Sequence, residues 1–203
     1  MIVYGASGHA KVVIELLEVN GVDDIEIWDD SDKAAVWQYA VKKPSLHSAG
    51  ARLQMVIGIG SNQSRKKVAE KCADVAEFVT PIHTSAIIST RATVQEGTVV
   101  MAGVTINADT QVGKHCIINT SASIDHDCVL EDYVHISPNA TLSGTVSVGE
   151  GTHIGAGATV IQGIKIGTWC TIGAGAVIIR DVPDNATVVG NPGRIIKTSN
   201  SGQ

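Results

Sequence analysis

Residues 117–136 read IINTSASIDHDCVLEDYVHI, and within them an aliphatic side chain returns at every sixth place: Ile118, Ile124, Leu130 and Ile136. Extended in both directions, the same ruler holds from Ile82 to Ile178 without a slip. Four residues after each mark the position is again small or apolar, from Ala86 through Val104, Cys116, Ala122, Cys128 and Val134 to Val182. A period of six suits neither an amphipathic helix nor a long alternating strand. It suits a short strand and a tight turn, repeated as the faces of a prism. Gly113, Gly149, Gly155, Gly167 and Gly173 directly follow ruler positions, where a corner needs permissive backbone and close approach. The expected architecture is a β-solenoid with a thin aliphatic core. A composition of 21 Gly with a single Phe agrees, because large side chains are too few to fill a thick one.

The first eighty residues follow a different rule. Ile2-Val3-Tyr4 is a short apolar strand, Gly5-Ala6-Ser7-Gly8 a glycine turn, and His9 to Glu18 carries helical spacing in Val12, Val13, Leu16 and Leu17. A second strand, Ile25 to Trp28, stops at Asp29-Asp30; a third, Met55 to Ile59, runs into Gly60-Ser61-Asn62 and a helix from Gln63 to Ala73. Strands alternating with helices imply a small parallel sheet whose ligands sit at the carboxyl ends of its strands, where Gly5, Gly8, Asp29, Asp30, Gly60 and Asn62 all fall. Gly5-x-x-Gly8 with Asp29 about 20 residues on could be taken for a dinucleotide fingerprint, but the GxGxxG spacing is missing. A mononucleotide or nucleotide-sugar site fits better. The helix start near Ser7, Gly8 and His9 offers free N–H groups to a phosphate, and Asp29 and Asp30 can accept N–H bonds from a base edge.

Composition excludes other classes. Lys and Arg total 15 against 20 Asp and Glu, a net charge of −5, with three Trp, three Tyr and one Phe. Neither a nucleic-acid-coating surface nor a stacking platform for single strands is expected. The segment Met1 to Gly5 lacks the charged start and apolar run of a signal peptide, so the cytoplasm is the expected address, with no membrane insertion. Cys72, Cys116, Cys128 and Cys170 form no CxxC pair and read as core filler, three of them on the inward series. The spacings of His115, His126, His135 and His153 do not supply a zinc-site triad, so no metal is expected; His135 stacked under His153 is the nearest approach to an accidental one.

Tyr4-Gly5-Ala6-Ser7-Gly8-His9-Ala10, Trp28-Asp29-Asp30, and Ile57 to Asn62 with Arg65, followed by the hexads, together resemble the PglD/NeuD-type sugar acyltransferases of the hexapeptide-repeat family. The resemblance covers roughly residues 1 to 197. It implies a Rossmann-like nucleotide-sugar-binding domain over residues 1–80, a left-handed parallel β-helix binding acetyl-CoA over 81–190, and a tail over 191–203. Three hexads then make each coil, somewhat fewer than about six coils in all. It also implies a cytoplasmic homotrimer with active sites between subunits, and transfer of acetyl from acetyl-CoA to the C4 amine of a UDP-linked 4-amino-4,6-dideoxy sugar, as in bacillosamine synthesis. A dTDP- or GDP-linked amine, a sialic-acid-type hydroxyl acceptor, and a non-enzymatic nucleotide-sugar scaffold are the alternatives.

Within the hexads, the resemblance picks out His126 as general base. Chemistry agrees independently: His126 sits midway between the inward Ile124 and Cys128, so it projects outward, and an imidazole titrating near neutrality suits deprotonation of an attacking amine. Asp127 is the expected partner for its ring, with Asp125 as competitor. Substrate contacts are expected from Ser7, Gly8, His9, Asp29, Asp30, Gly60, Asn62, Arg65 and Asn119. On the resemblance, His135, Gly144, Ala156, Ala174, Gly190 and Pro192 hold the cofactor, the last two in Gly190-Asn191-Pro192-Gly193-Arg194, where Gly193 replaces the more usual Ala.

Overall fold

The computed structural model of the protein describes residues 1–45 and 52–198. Its amino-terminal sheet has six strands in the order β3-β4-β2-β1-β5-β6, with β1 (Ile2–Tyr4), β2 (Glu26–Trp28), β3 (Ala35–Val36), β4 (Tyr39–Lys42), β5 (Leu53–Ile57) and β6 (Ala76–Phe78). Every pairing is parallel except the β3–β4 hairpin. Helix α1 (Gly8–Val19) buries Ala10, Val13, Ile14, Leu16 and Leu17 against Val3, Ile27 and Val56. Helix α2 (Asn62–Cys72) buries Val68, Ala69 and Cys72 on the other side of the sheet, with Tyr4, Met55 and Ile57. Both helices and the three long-range strands match the sequence reading to within two residues. The β3–β4 hairpin and β6 were not foreseen.

From Ile87 onward the chain is a parallel β-solenoid. Two-residue strands recur every six residues, from Ile87–Ile88 to Val177–Ile178, and each as far as Thr159–Val160 pairs in register with the strand 18 residues on, as Ser123↔Thr141 and His135↔His153 do. Three sheets result. The first face holds six strands, beginning at Ile87–Ile88 and including Ser123–Ile124; the second holds five, including Val129–Leu130; the third includes His135–Ile136. The third face also takes in Ala186–Val189 and the antiparallel Arg194–Thr198, for seven in all. Part of the expected tail is therefore strand; residues 199–203 lie outside the described residues.

The ruler residues from Val100 to Ile178 line one continuous core with the four-on series. Burying each such side chain contributes roughly 1.5–3 kcal/mol. Cys116, Cys128 and Cys170 lie in that core, and all four cysteines are free and buried. The first ruler position differs: Ile82 is 38 % exposed and makes only an isolated bridge to Val100.

The corners turn on a residue the glycine count did not reveal. The left-handed conformation recurs three places after the ruler, at Gly97, Gly103, Asp109, His115, Ser121, Asp127, Tyr133, Asn139 and Thr145, and so on to Gly175. Glycines one place after the ruler serve close approach instead. A Cβ on Gly149 would stand 2.7 Å from the backbone of Gly167 and Thr168 in the next coil.

Candidate active site

His126 lies on the edge between the first and second faces. Residues 108, 126, 144 and 162, each 18 apart, form one column there, since Asp127 N–H donates to Ala108 O, Thr145 N–H to His126 O and Gly163 N–H to Gly144 O. Left-handed φ of +58° at Asp127 swings its carboxylate back toward the preceding ring, and Oδ2 meets His126 Nδ1 at 2.7 Å. Asp125 is committed elsewhere: Oδ1 accepts from the His126 backbone N–H and from Asn107 Nδ2, each at 2.8 Å. Asp127 is thus the ring's partner and Asp125 the clamp on its backbone. The hydrogen bond to Asp127, with the nearby Asp125 charge, raises the His126 pKa above its ordinary 6.5. With Asp127 ionised, Nδ1–H donates and Nε2 is left as the free base. A Cβ on Gly144 would fall 2.6 Å from that Nε2, so the absence of a side chain there gives the ring its seat.

A second group of histidines lies where the two halves meet. His135 stacks on His153 with ring centroids 4.7 Å apart, and His9, from the first turn of α1, stands 6.4 Å from His135. Asn119 Nδ2 is 3.2 Å from His135 Nε2, and Ser137 Oγ is 2.7 Å from His153 Nε2. Burial disfavours the imidazolium here, lowering His9 to about 4 and His135 to about 2. Nearby Arg65 acts in the same direction on both.

Arg65 itself is 1 % exposed. Its Nε donates to His115 O, one terminal nitrogen to Ile59 O and Gly60 O, and the other to Asn62 Oδ1 and Tyr133 O. Asn62 Nδ2 in turn donates to Gly151 O and to Thr152 O. This corrects the expectation that Arg65 and Asn62 face the substrate: all five guanidinium donors are taken, and the pair joins α2 to the solenoid. The signal in sequence was an Asn and an Arg one helical turn apart on α2, which suits mutual support as well as ligand contact.

The remaining expected contacts divide between places. Asp29 takes Ala6 N–H on Oδ2 and Ser31 N–H on Oδ1, each at 2.7 Å, fixing the glycine turn. Asp30 accepts from Tyr4 Oη and Lys71 Nζ. Ser7 is the extended N-cap of α1 but makes no side-chain cap, and Gly8 has open space before it. Gly60 sits opposite His9, a Cβ there reaching to 3.8 Å of His9 Cβ. Ala156 and Ala174 lie exposed on the edge between the third and first faces, linked by Gly175 N–H to Ala156 O. Gly190 and Pro192 follow at the turn between the strands Ala186–Val189 and Arg194–Thr198, where Gly190 O accepts from Val177 N–H. At Gly193 a Cβ would meet Ile178 Cδ1 at 2.9 Å, which gives a steric reason for Gly in place of Ala.

The amino-terminal domain packs on the third face, its cluster including Val99, Met101 and Ile117. In a three-sided prism the edge between the first and second faces is opposite the third. One chain therefore keeps His126 and Gly144 on the edge away from its own glycine turn, while His9, Asn119 and His135 gather beside it. Among the described residues, no group of three or more His, Cys, Asp or Glu is placed to hold a metal ion, and no helix is long and apolar enough to cross a membrane.

A hexad solenoid, an exposed histidine–aspartate pair and a small parallel-sheet domain define a hexapeptide-repeat acyltransferase. Residues 1–72 match the PglD N-terminal domain, and residues 145–180 match the bacterial transferase hexapeptide of six repeats. Perosamine N-acetyltransferase from Caulobacter crescentus, solved with CoA and GDP-perosamine, is 39 % identical with a TM-score of 0.91, over 97 % of this chain and 96 % of that one. The acetyltransferase domain of PglB from Neisseria gonorrhoeae FA1090, solved with acetyl coenzyme A, is 36 % identical with a TM-score of 0.89, over 96 % and 98 %. UDP-N-acetylbacillosamine N-acetyltransferase of Bacillus subtilis (strain 168) is 44 % identical over 108 residues, 49 % of this chain and 50 % of that protein. The chain belongs to the PglD-type sugar acyltransferases of the hexapeptide-repeat family.

Proposed function

We propose that the protein transfers acetyl from acetyl-CoA to the C4 amine of a nucleotide-linked 4-amino-4,6-dideoxy sugar, with His126 as general base. The observation that carries this reading is the His126–Asp127 contact at 2.7 Å, in which the ring is anchored through Nδ1 and free at Nε2. The acceptor amine loses its ammonium proton to solvent before it attacks. As its nitrogen bonds to the thioester carbon, Nε2 takes a second proton from it. Negative charge gathers on the former carbonyl oxygen and is met by a main-chain N–H or the His135 ring. The C–S bond then breaks, the oxygen regains its double bond, and the imidazolium returns the proton to the departing CoA thiolate. No covalent enzyme intermediate is needed.

The nucleotide lies at the carboxyl ends of β1, β2 and β5, near Ser7, Gly8, His9, Asp29, Asp30 and Gly60. CoA runs along the solenoid past Gly144, Ala156 and Ala174 to the turn at Gly190 and Pro192. His126 faces away from the nucleotide region of its own chain, so the site is completed between neighbours: one subunit supplies the nucleotide domain and His135, the next supplies His126 and Gly144. A homotrimer satisfies this with three equivalent sites, and an isolated subunit is inactive. The cytoplasm, where acetyl-CoA and nucleotide sugars are made, is the proposed location.

UDP is the favoured nucleotide. GDP is the second reading, supported by the Caulobacter relative, which matches nearly the whole chain and holds GDP-perosamine. The test is release of CoA thiol from acetyl-CoA with UDP-, dTDP- and GDP-4-amino-4,6-dideoxy sugars. Turnover with one of them supports the reading and names the nucleotide. Silence with every amine, alongside turnover of a hydroxyl acceptor, replaces it with O-acetylation.

A further inference from the structure

The side chain of Lys33, in the loop that follows β2, reaches back over the glycine turn and places Nζ 2.5 Å from Ala6 O. The Ala6 N–H is itself held by Asp29 Oδ2 at 2.7 Å. Two side chains from one loop thus grip one residue of the turn, an acid on the Ala6 N–H and a cation on the Ala6 carbonyl. The acid completes its hydrogen bonding with Ser31 N–H. The cation does not find an opposite charge. Lys42, Lys43, Lys66, Lys71 and Lys114 each pair with a carboxylate, whereas Lys33 has no carboxylate within salt-bridge distance among the described residues. Its one hydrogen bond is to a neutral carbonyl.

Beside it, α1 begins with no side-chain cap from Ser7 and no acidic residue in its first turn. Helix α2 differs: Ser61 accepts from Ser64 N–H and closes that end. An ammonium without a carboxylate, bonded to the residue just before the Ser7 N-cap, adds positive charge beside the start of α1 in a chain whose net charge is −5.

We infer that Lys33 is a binding residue for the diphosphate of the nucleotide-sugar substrate. The inference rests on the proposed nucleotide site and adds a residue to it. Lys33 Nζ moves from, or shares, Ala6 O and pairs with a phosphate oxygen, while the first-turn N–H groups of α1 bind the other side of the group. Specificity follows: the residue discriminates by phosphate charge, not by base or sugar.

The test is calorimetric titration of the full chain with UDP and GDP, then with the monophosphate and the nucleoside of whichever diphosphate binds, comparing wild type with Lys33→Met and Lys33→Arg. The expected result is that Lys33→Met weakens the diphosphate about tenfold, equivalent to roughly 1.4 kcal/mol. It leaves the nucleoside within twofold, and Lys33→Arg keeps most of the affinity. In steady state, KM for the nucleotide sugar rises while kcat and KM for acetyl-CoA stay within about twofold. Equal weakening of diphosphate and nucleoside overturns the inference, because it shows that Lys33 merely props the turn; unchanged diphosphate affinity overturns it as well. Wild-type protein that binds neither diphosphate removes the nucleotide site itself, and the inference with it, an outcome distinct from a variant that matches a binding wild type.

Discussion

The same side chain plays opposite parts in two regions of this molecule. On the outer edge of the solenoid, His126 is solvated, hydrogen-bonded to Asp127 and pushed up in pKa. At the joint between the halves, His9, His115 and His135 are pushed down, His9 and His115 to about 4 and His135 to about 2, by burial and by Arg65. A carboxylate beside an exposed ring makes a base. A guanidinium beside a buried one keeps the ring neutral, and among these His115 stacks on Tyr133 at 5.4 Å and meets Phe78 edge-on at 4.5 Å. What a histidine does here is decided by which charge faces it and how much water remains.

The contrast is most severely tested at Arg65. Arg65→Ala leaves buried carbonyls from both halves without donors, and a loss of about 3 kcal/mol in denaturant unfolding is expected. An unchanged midpoint would mean that the joint does not rely on it. Next, His126→Ala is expected to lower kcat/KM by at least about a hundredfold with little change in thermal midpoint, because the ring is exposed and lies outside the core.

Acid should separate the two regions. The folded pKa of His9 lies below its unfolded value, so the unfolded chain takes a proton that the folded chain refuses. Stability is intact above about pH 6.5 and falls as pH drops from there toward 4. In that window His9→Asn should reduce the slope of unfolding free energy against pH by up to about 1.4 kcal/mol per pH unit. Urea titrations at several pH values give that slope, and an identical slope in the variant would contradict burial as the cause.

The smallest expected effect is at Asp127. A general base at His126, as proposed, must be neutral, so the pH profile is expected to rise through a folded pKa above 6.5. Asp127→Asn should lower kcat about tenfold and move that inflection downward. A profile that keeps its inflection would transfer the role to Asp125.

Much of this was readable in advance, for physical reasons. A ruler of Ile118, Ile124, Leu130 and Ile136 leaves one architecture, because each side chain stacks on another aliphatic side chain one coil away. His126 could be placed outward because the residues two places away on either side, Ile124 and Cys128, are core. The β3–β4 hairpin was not readable: Ala35–Val36 is too short to show alternation, and its turn carries Trp37 at φ +50° where Gly or Asn would have signalled it. Nor was the role of Arg65. A charged residue on a polar helix ordinarily faces water, and only the solenoid carbonyls of His115 and Tyr133, supplied from far along the chain, make its burial tolerable.

The central claim is that a nucleotide domain from one subunit works with His126 from the next. It is tested most directly by mixing two inactive variants, His126→Ala and Asp29→Ala, through co-expression with separate tags and purification of the mixed assembly. The account predicts that the mixed assembly recovers acetyl transfer, since some of its sites unite an intact nucleotide domain with an intact base. A mixed assembly as silent as its parents would contradict it.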